Sequence, residues 1–251
     1  MKKSPLLLIA LLITQLSISQ NALNFDGTND LVQTTYGGVT GTANRTFEAW
    51  IYITAAPSGN TCILDYGVNA AGDRNTFYIN ANRQLGFISG GTNANISSSM
   101  NAVPIASWAH VAFVLNSGTG YLYVNGTQVG TGNLSNVSTP TTGQNLRIGN
   151  RVTGGNIFFK GAIDEVRIWD VARTHTEIAS TMNNEFCAAP SSLKAYYKFN
   201  SGTAGGTNTA VTSAIDDAGS NNGTLTGFAL SGTTSNWVTG KSIFPVAINS
   251  T

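Results

Sequence analysis

The chain has 251 residues, of which 10% are charged, and its net charge is +1. Because an average domain carries about 25% charged residues, the surface must consist largely of neutral polar side chains. The lack of a basic stripe argues against nucleic-acid binding. A surface of this kind suits a neutral polar ligand better than a polyanion.

Residues 1–19 differ from the rest of the chain. Two lysines precede an apolar run at Leu6–Ile13, and small side chains follow at Ser17 and Ser19. This order is typical of a secretory signal peptide cleaved near Ser19. The alternative is a transmembrane anchor, but the run is well short of the ~20 apolar residues that a span needs. We therefore expect a secreted or cell-surface protein whose mature chain has no membrane span.

Short runs in which apolar and polar residues alternate recur along the mature chain, and each ends at Gly, Asn or Ser residues. A period of two is typical of half-buried strands, and regularly spaced strands indicate a sandwich or barrel. The runs cover 47–53, 76–79, 85–88, 108–115, 121–124, 146–148 and 162–169. The alternation predicts a core that includes Val111, Phe113, Leu115, Leu122, Val124, Val166 and Ile168. It places Trp108, His110, Tyr121, Tyr123, Arg167 and Trp169 on the outer faces.

Two local motifs add detail to these strands. Asn125-Gly126 lies between two alternating runs, which predicts a hairpin with a type I′ turn. Thr174 and Glu177 have the spacing of a capping box, and an apolar stripe follows them. We therefore predict one short helix that ends near Asn183.

Five segments resemble the laminin-G-like (concanavalin-A-like) jelly-roll superfamily, in its secreted bacterial form. LNFDGTNDLV at 23–32 and GAIDEVRIW at 161–169 look like its two signature segments. Between them, FEAWI, WAHVA and LYVNG follow in the family's order at 47–51, 108–112 and 122–126. The resemblance covers residues 22 to about 182. It implies an all-β, antiparallel two-sheet jelly-roll sandwich, a fold that carries lectins, adhesion modules, hydrolases and lyases.

The C-terminal part resembles the segment that usually opens such a domain. This similarity involves 193–200, 214–217 and 221–225. We therefore predict that residues 189–242 supply strands to the jelly-roll core formed by 20–188, in a permuted order, and that 243–251 are a linker or tail. The alternative is a half-domain whose remainder has been lost.

Catalytic motifs are not evident in the sequence. Hydrolases that this chain resembles place two glutamates on one face of a strand, and retaining chemistry needs the carboxyl groups about 5 Å apart. Asp164 and Glu165 are adjacent, so a regular strand would point them to opposite faces. His110 and His175 have no Gly-x-Ser-x-Gly motif to serve. We expect no enzymatic activity.

Calcium is the one cofactor that the resemblance suggests, as a structural ion. The candidate ligands are Asp26, Asn29, Asp30 and Asp164, which lie in the two signature segments. Ca²⁺ binds six to eight oxygen atoms, including backbone carbonyls. The alternative is that Asp26 and Asp30 brace the turn between them through local hydrogen bonds.

Two longer polar loops, 67–75 and 150–156, are the candidate ligand-binding region, since loops often carry function in such scaffolds. Aromatic side chains next to these loops, Phe158 among them, could stack on a sugar, or they could simply pack in the fold. The predicted ligand-binding residues are Tyr66, Asp73, Arg74, Tyr78 and Arg151.

Cys62 and Cys187 are the two cysteines. An oxidising compartment would permit one disulfide between them, and two free thiols are the alternative.

Together these patterns favour a noncatalytic, extracellular carbohydrate-binding or adhesion module whose partner is a glycan or an extracellular protein. One alternative is a structural or protein-binding domain of a surface protein. Another is a polysaccharide-cleaving enzyme of the same fold.

Overall fold

The computed structural model describes residues 20–91 and 94–246; the predicted signal peptide lies outside them. Within these ranges the strands are β1 (Asn21–Asp26), β2 (Leu31–Gln33), β3 (Arg45–Tyr52), β4 (Thr61–Gly67), β5 (Thr76–Ile79), β6 (Leu85–Ile88), β7 (Asn95–Ser97), β8 (Trp108–Asn116), β9 (Thr119–Val124), β10 (Thr127–Asn133), β11 (Gln144–Ile148), β12 (Lys160–Trp169), β13 (Asn184–Phe186), β14 (Leu193–Tyr197), β15 (Ser213–Ala214), β16 (Gly223–Thr226), β17 (Asn236–Thr239) and β18 (Phe244–Val246). The helix α1 (His175–Thr181) follows β12.

Two eight-stranded antiparallel sheets make up most of the described chain. Sheet A has the order β10-β9-β8-β3-β12-β1-β17, and β14 also pairs with β12. Sheet B has the order β15-β16-β2-β11-β4-β5-β6-β7. Strands β13 and β18 form a separate parallel pair. The predicted all-β sandwich with one short helix is confirmed.

The core lies between the inner faces of the two sheets. Phe113 of sheet A stacks on Phe87 of sheet B with ring centroids 3.8 Å apart. Phe47 of β3 meets Phe77 of β5 edge-on at 6.4 Å. All seven residues predicted for the core belong to this cluster. Alternation places them there because every second side chain of a strand points to the same face.

The predicted turn and helix are also present. Asn125 and Gly126 have φ values of 49° and 75°, which a type I′ turn requires. The Thr174 hydroxyl accepts a hydrogen bond from the Glu177 N–H, and the Glu177 carboxylate accepts one from the Thr174 N–H at 2.6 Å. This capping box starts α1, which buries Ile178 against sheet A.

A β-bulge interrupts strand β12 between Asp164 and Arg167. Glu165 has a φ of 53°, in the left-handed region. The bulge shifts the alternation by one residue, so that Ile163 and Val166 both face the core. Asp164 and Glu165 therefore both face away from it. Our expectation that these two carboxyl groups point to opposite faces was wrong, because it assumed a regular strand.

The C-terminal region adds strands to both sheets. β14 pairs with β12, β17 with β1, and β16 with β2. The Trp237 side chain of β17 is completely buried in the core. The first residues of the predicted tail form β18, which pairs with β13 over the outer face of sheet A. In the part of the chain that the structure describes, no helix is long and apolar enough to cross a membrane.

Candidate functional site

A groove runs across the outer face of sheet A, and one row of side chains forms its base. Trp108, Tyr52, Ala162 and Asn24 lie directly opposite one another on β8, β3, β12 and β1. Each of these four residues is adjacent in its strand to a residue of the core. Because successive side chains of a strand point to opposite faces, all four face away from the core. Strands are about 4.8 Å apart, so the row extends roughly 14 Å from Trp108 to Asn24.

The aromatic end of this row is only partly covered. The rings of Tyr52 and Trp108 lie 5.7 Å apart and are tilted by 59°. Both side chains are half-buried, so they keep ring surface open to solvent. An aromatic ring offers a rigid apolar surface on which a flat ligand can lie.

The middle of the groove is kept open by small residues. Ala162 presents a single methyl group, and Gly161 has a φ of 138°. A Cβ added at Gly161 would stand 2.2 Å from the carbonyl oxygen of Tyr52. Glycine is therefore required for the close approach of β12 to β3. Together with Asn24, Val238 and Thr239, these residues enclose a cavity of about 310 Å³.

A second cavity of about 310 Å³ adjoins the first at Thr54. The loop of residues 54–61 forms one wall, and Phe158 and Lys160 form the other. The lining of both cavities contains hydroxyl, amide, backbone and aromatic groups and a single cationic side chain, Lys160. It includes no carboxylate.

Three carboxylates of this face lie on its other half, which is covered. A fourth, Asp26 of β1, faces outward beside the groove, directly opposite Lys160 in the strand register. Helix α1 and the segment after it close over Glu48, which is completely buried. Glu48 forms an ion pair with Arg173 at 2.5 Å, and His110 Nε2 lies 3.3 Å from its other oxygen. Burial favours the neutral acid, but Arg173 and His110 together outweigh it and lower the pKa of Glu48 to about 2.

Asp164 and Glu165 are equally inaccessible, each being 1% exposed. Glu165 pairs with Arg167 at 2.6 Å and accepts a hydrogen bond from the Tyr196 hydroxyl. Asp164 accepts one from the Lys241 N–H at 2.9 Å. Burial raises the pKa of both acids, and the neighbouring Glu165 raises that of Asp164 further. This acid pair does not reach the groove.

The sequence of residues 26–179 matches the model of the concanavalin A-like lectin/glucanases superfamily, over more than half of the chain. The chain belongs to this superfamily. No curated protein matches it.

Two solved structures that are similar to this chain are described as carbohydrate-binding. One is a proposed carbohydrate-binding protein from Bacteroides ovatus, with 24% identity and a TM-score of 0.64 over 82% of this chain. The chain spans 58% of that protein's length. The other is the CBM40 module of the Ruminococcus gnavus IT-sialidase bound to α2,3-sialyllactose, with 14% identity and a TM-score of 0.52. That match covers 64% of this chain and 95% of the module. At these identities the likeness extends to the fold alone.

The two tyrosines predicted as ligand-stacking residues are not available to a ligand. Tyr66 belongs to the core between the two sheets, and its ring packs edge-on against that of Phe47, with the ring centroids 5.7 Å apart. Tyr78 lies flat over Gly86 on the outer face of sheet B and is 9% exposed. The stacking prediction is wrong for Tyr66, because its position in β4 faces inward.

The other predicted ligand residues lie on or beside sheet B, on the opposite side of the molecule from the groove. Arg74 is buried beneath the loop of residues 149–157, and Arg151 is half-buried within that loop. Asp73 is half-buried, and its carbonyl accepts a hydrogen bond from the Val68 N–H. The structure therefore brings Arg74 and Arg151 together, but not with the groove.

The four predicted calcium ligands do not converge on one point. In the strand register Asp26 lies opposite Lys160 of β12. Asp164 lies four residues further along β12, so its Cα atom is about 13 Å from that of Lys160. The Asp26 carboxylate accepts a hydrogen bond from the Thr28 N–H, and Asp30 accepts one from the Asp26 N–H at 2.8 Å. Asn29 is exposed in the same turn. The two aspartates thus brace their turn, and the four residues do not fit a single Ca²⁺ site.

The two cysteines are free thiols. Cys62 is completely buried in β4 of sheet B, whereas Cys187 is exposed after β13, which covers the outer face of sheet A. The candidate disulfide is not formed, because the sandwich separates the two side chains, and the alternative of two free thiols is the one that the structure contains.

Sequence reasoning placed Trp108 on an outer face but missed the groove. Tyr52, Ala162 and Asn24 occupy outward positions that the alternation could have identified. Their alignment with Trp108 depends on the register of four strands, which the alternation does not determine.

Proposed function

We propose that the protein is a noncatalytic carbohydrate-binding module that holds its glycan in the groove on the outer face of sheet A. The observation that carries this proposal is the row of four outward side chains across sheet A. Trp108 and Tyr52 supply partly exposed aromatic rings, Ala162 supplies a small methyl group, and Asn24 supplies a polar amide. Sugars present alternating apolar and hydroxyl surfaces, which such a lining complements. The carbohydrate-binding neighbours of the same fold support the proposal.

The noncatalytic part of the proposal rests on where the carboxylates are. Glycoside hydrolysis needs two of them beside the scissile bond. Here Glu48 and Glu165 are held in buried ion pairs under α1 and its neighbouring segments, and Asp164 is buried next to Lys241. Asp26 lies beside the groove, but the lining of the two cavities holds no second carboxylate to act with it. We expect no release of reducing sugar from polysaccharides that the module binds.

The extracellular setting is part of the same proposal, and the sequence of residues 1–19 supports it. Mass spectrometry of the protein exported by a bacterial host would test cleavage near Ser19. Recovery of the uncleaved chain from the cytoplasm would contradict export.

A glycan array followed by calorimetric titration of the best ligand tests the binding site. Replacing Trp108 or Tyr52 with alanine removes ring surface worth on the order of 1–2 kcal/mol, so we expect roughly tenfold weaker binding. Tyr121→Ala is the matched control, because Tyr121 is also half-buried on sheet A but lines neither cavity. Uniform lack of binding across the array would favour the protein-binding alternative, and unchanged affinity in Trp108→Ala would place the site elsewhere.

A further inference from the structure

The outer face of sheet B carries a second polar surface, on the opposite side of the sandwich from the groove. Gln33, Arg147 and Asp65 lie opposite one another on β2, β11 and β4. The loop of residues 149–157 folds over this row. The Val152 N–H of that loop donates to Asp65 at 2.8 Å, and Arg147 donates to the Arg151 carbonyl at 2.8 Å. The loop is therefore fixed to the sheet by hydrogen bonds.

Arg74 lies at the edge of this surface, and Asp65 is the carboxylate that interacts with it at a distance longer than an ion pair. The residue is 7% exposed, and its Nε is completely covered. Within residues 20–91 and 94–246, its guanidinium makes no hydrogen bond or ion pair. Guanidinium has five N–H donors and cannot be deprotonated in proteins, so the Nη groups of Arg74, which are not completely covered, need acceptors from water or a ligand.

Further unsatisfied donors lie in the loop above Arg74. The Nε of Arg151 and the hydroxyl of Thr153 are buried and have no hydrogen-bond partner among the described residues. A Cβ added at Gly154 would stand 2.7 Å from Nη2 of Arg74, so the loop touches the guanidinium directly. Gly154 and the neighbouring Gly155 are exposed, which leaves this edge open to solvent.

The charge balance of this surface is positive. Arg74, Arg147 and Arg151 surround Asp65, the carboxylate that interacts with Arg74. Both Asp65 oxygens already accept hydrogen bonds, from the Thr76 hydroxyl and from the Val152 N–H. Asp65 forms no ion pair with an arginine within the described residues, although Arg74 and Arg151 act on it electrostatically.

We propose that Arg74 and Arg151 form a binding site for an oxyanion, the carboxylate or sulfate group of an acidic saccharide, at the open edge next to Gly154. The oxyanion supplies acceptors to the Nη groups of Arg74, which have none within the described residues, and a guanidinium matches a carboxylate or sulfate through two parallel hydrogen bonds. That the oxyanion belongs to a saccharide rests on the proposed function. The site itself is independent of the groove, because it lies on the other sheet.

Thermal melts of the full chain at fixed ionic strength test this site, with glucuronate, inorganic sulfate and glucose as probes. We expect glucuronate to raise Tm and glucose to leave it unchanged. An equal rise with inorganic sulfate would support the oxyanion chemistry and assign the site to free ions. No rise with either anion would overturn the proposal.

Variants separate a binding role of Arg74 from a structural one. In Arg74→Met we expect the glucuronate-induced rise in Tm to vanish, with affinity at least tenfold weaker by calorimetry on the folded variant, well below its own Tm. Arg83→Gln is the control, since the Arg83 guanidinium is bonded to the Val103 carbonyl and Asn101. A glucuronate response that survives in Arg74→Met would overturn the proposal. Trp108→Ala should keep the glucuronate response, because Trp108 lies on the other sheet. A failure of the proposed groove is therefore distinguishable from a failure of the oxyanion site.

Discussion

Replacing Arg173 with methionine tests what holds the covered half of sheet A closed. The Arg173 guanidinium pairs with Glu48 at 2.5 Å and lies 4.2 Å from the Trp169 ring centroid. It also donates to the Glu177 carbonyl and to the Thr181 hydroxyl of α1. Methionine keeps much of the apolar stem, so the main change is that Glu48 loses its cation while it remains buried.

The size of the effect follows from the pKa of Glu48. Burial raises this pKa, but Arg173 and His110 outweigh burial and lower it from 4.5 to about 2. A folded-state pKa below the unfolded one means that the stabilisation is fully present above pH 4.5 and is lost as the pH falls towards 2. The shift corresponds to about 3 kcal/mol at neutral pH. Leaving the carboxylate buried without its partner costs about 3–5 kcal/mol.

The variant should also weaken the pH dependence. Arg173 is the largest of the influences that lower the pKa of Glu48, so its removal raises this pKa towards and beyond the ordinary range. The part of the stabilisation that requires an ionised Glu48 is then smaller in the variant. We therefore expect the difference in unfolding free energy between the two proteins to be largest at pH 7 and to shrink towards pH 3.

Urea unfolding followed by tryptophan fluorescence at pH 3, 5 and 7 measures this difference. Lys194→Met is the matched control, since Lys194 pairs with Asp170 at 3.1 Å on the surface, with both side chains 40% exposed; we expect it to cost less than about 1 kcal/mol. Adding Glu48→Gln to the Arg173→Met variant should recover stability at pH 7. An equal loss at pH 3 and pH 7, or no recovery in the double variant, would refute the reasoning.

Three further predictions concern the rest of the molecule. A thiol reagent should label Cys187 in the native protein and Cys62 only after unfolding, because Cys62 is completely buried and burial raises the pKa of its thiol; equal labelling would contradict the described packing. Because the four predicted calcium ligands do not converge, melting curves in EDTA and in millimolar Ca²⁺ should coincide, whereas a rise of several degrees in Ca²⁺ would indicate a site formed by other residues. A fragment of residues 20–188 lacks β14, β16 and β17 and the buried Trp237, so it should not unfold cooperatively; a stable fragment would remove the prediction of a permuted domain.

Alternation was sufficient to predict the inner faces of the sheets. Val111, Phe113 and Leu115 of β8 all face the core, as their spacing indicates. Each side chain's face follows from the period of two within its own strand. The hairpin turn and the capping box were equally predictable, because both depend on neighbouring residues alone.

Register and irregularity were not predictable from the same pattern. The groove is formed by four residues that lie up to 138 residues apart in sequence and meet only through strand pairing, namely Asn24, Tyr52, Trp108 and Ala162. The bulge in β12 was not predictable from the sequence for a different reason. It places a glutamate, Glu165, at positive φ, a conformation for which glycine or asparagine would have been the usual signal.

The bulge in β12 connects these two observations, because it separates the open half of the outer face from the covered half. A regular strand would send Glu165 into the apolar core between the sheets. The bulge turns it outward instead, to Arg167 and the Tyr196 hydroxyl. Arg167 also donates to the Thr181 carbonyl at the end of α1, so the same ion pair helps to anchor the covering segment. Glu48 and Glu165 thus hold one half of this face closed, which leaves the other half, around Ala162, with exposed aromatic, amide and hydroxyl groups, where we propose that the ligand binds.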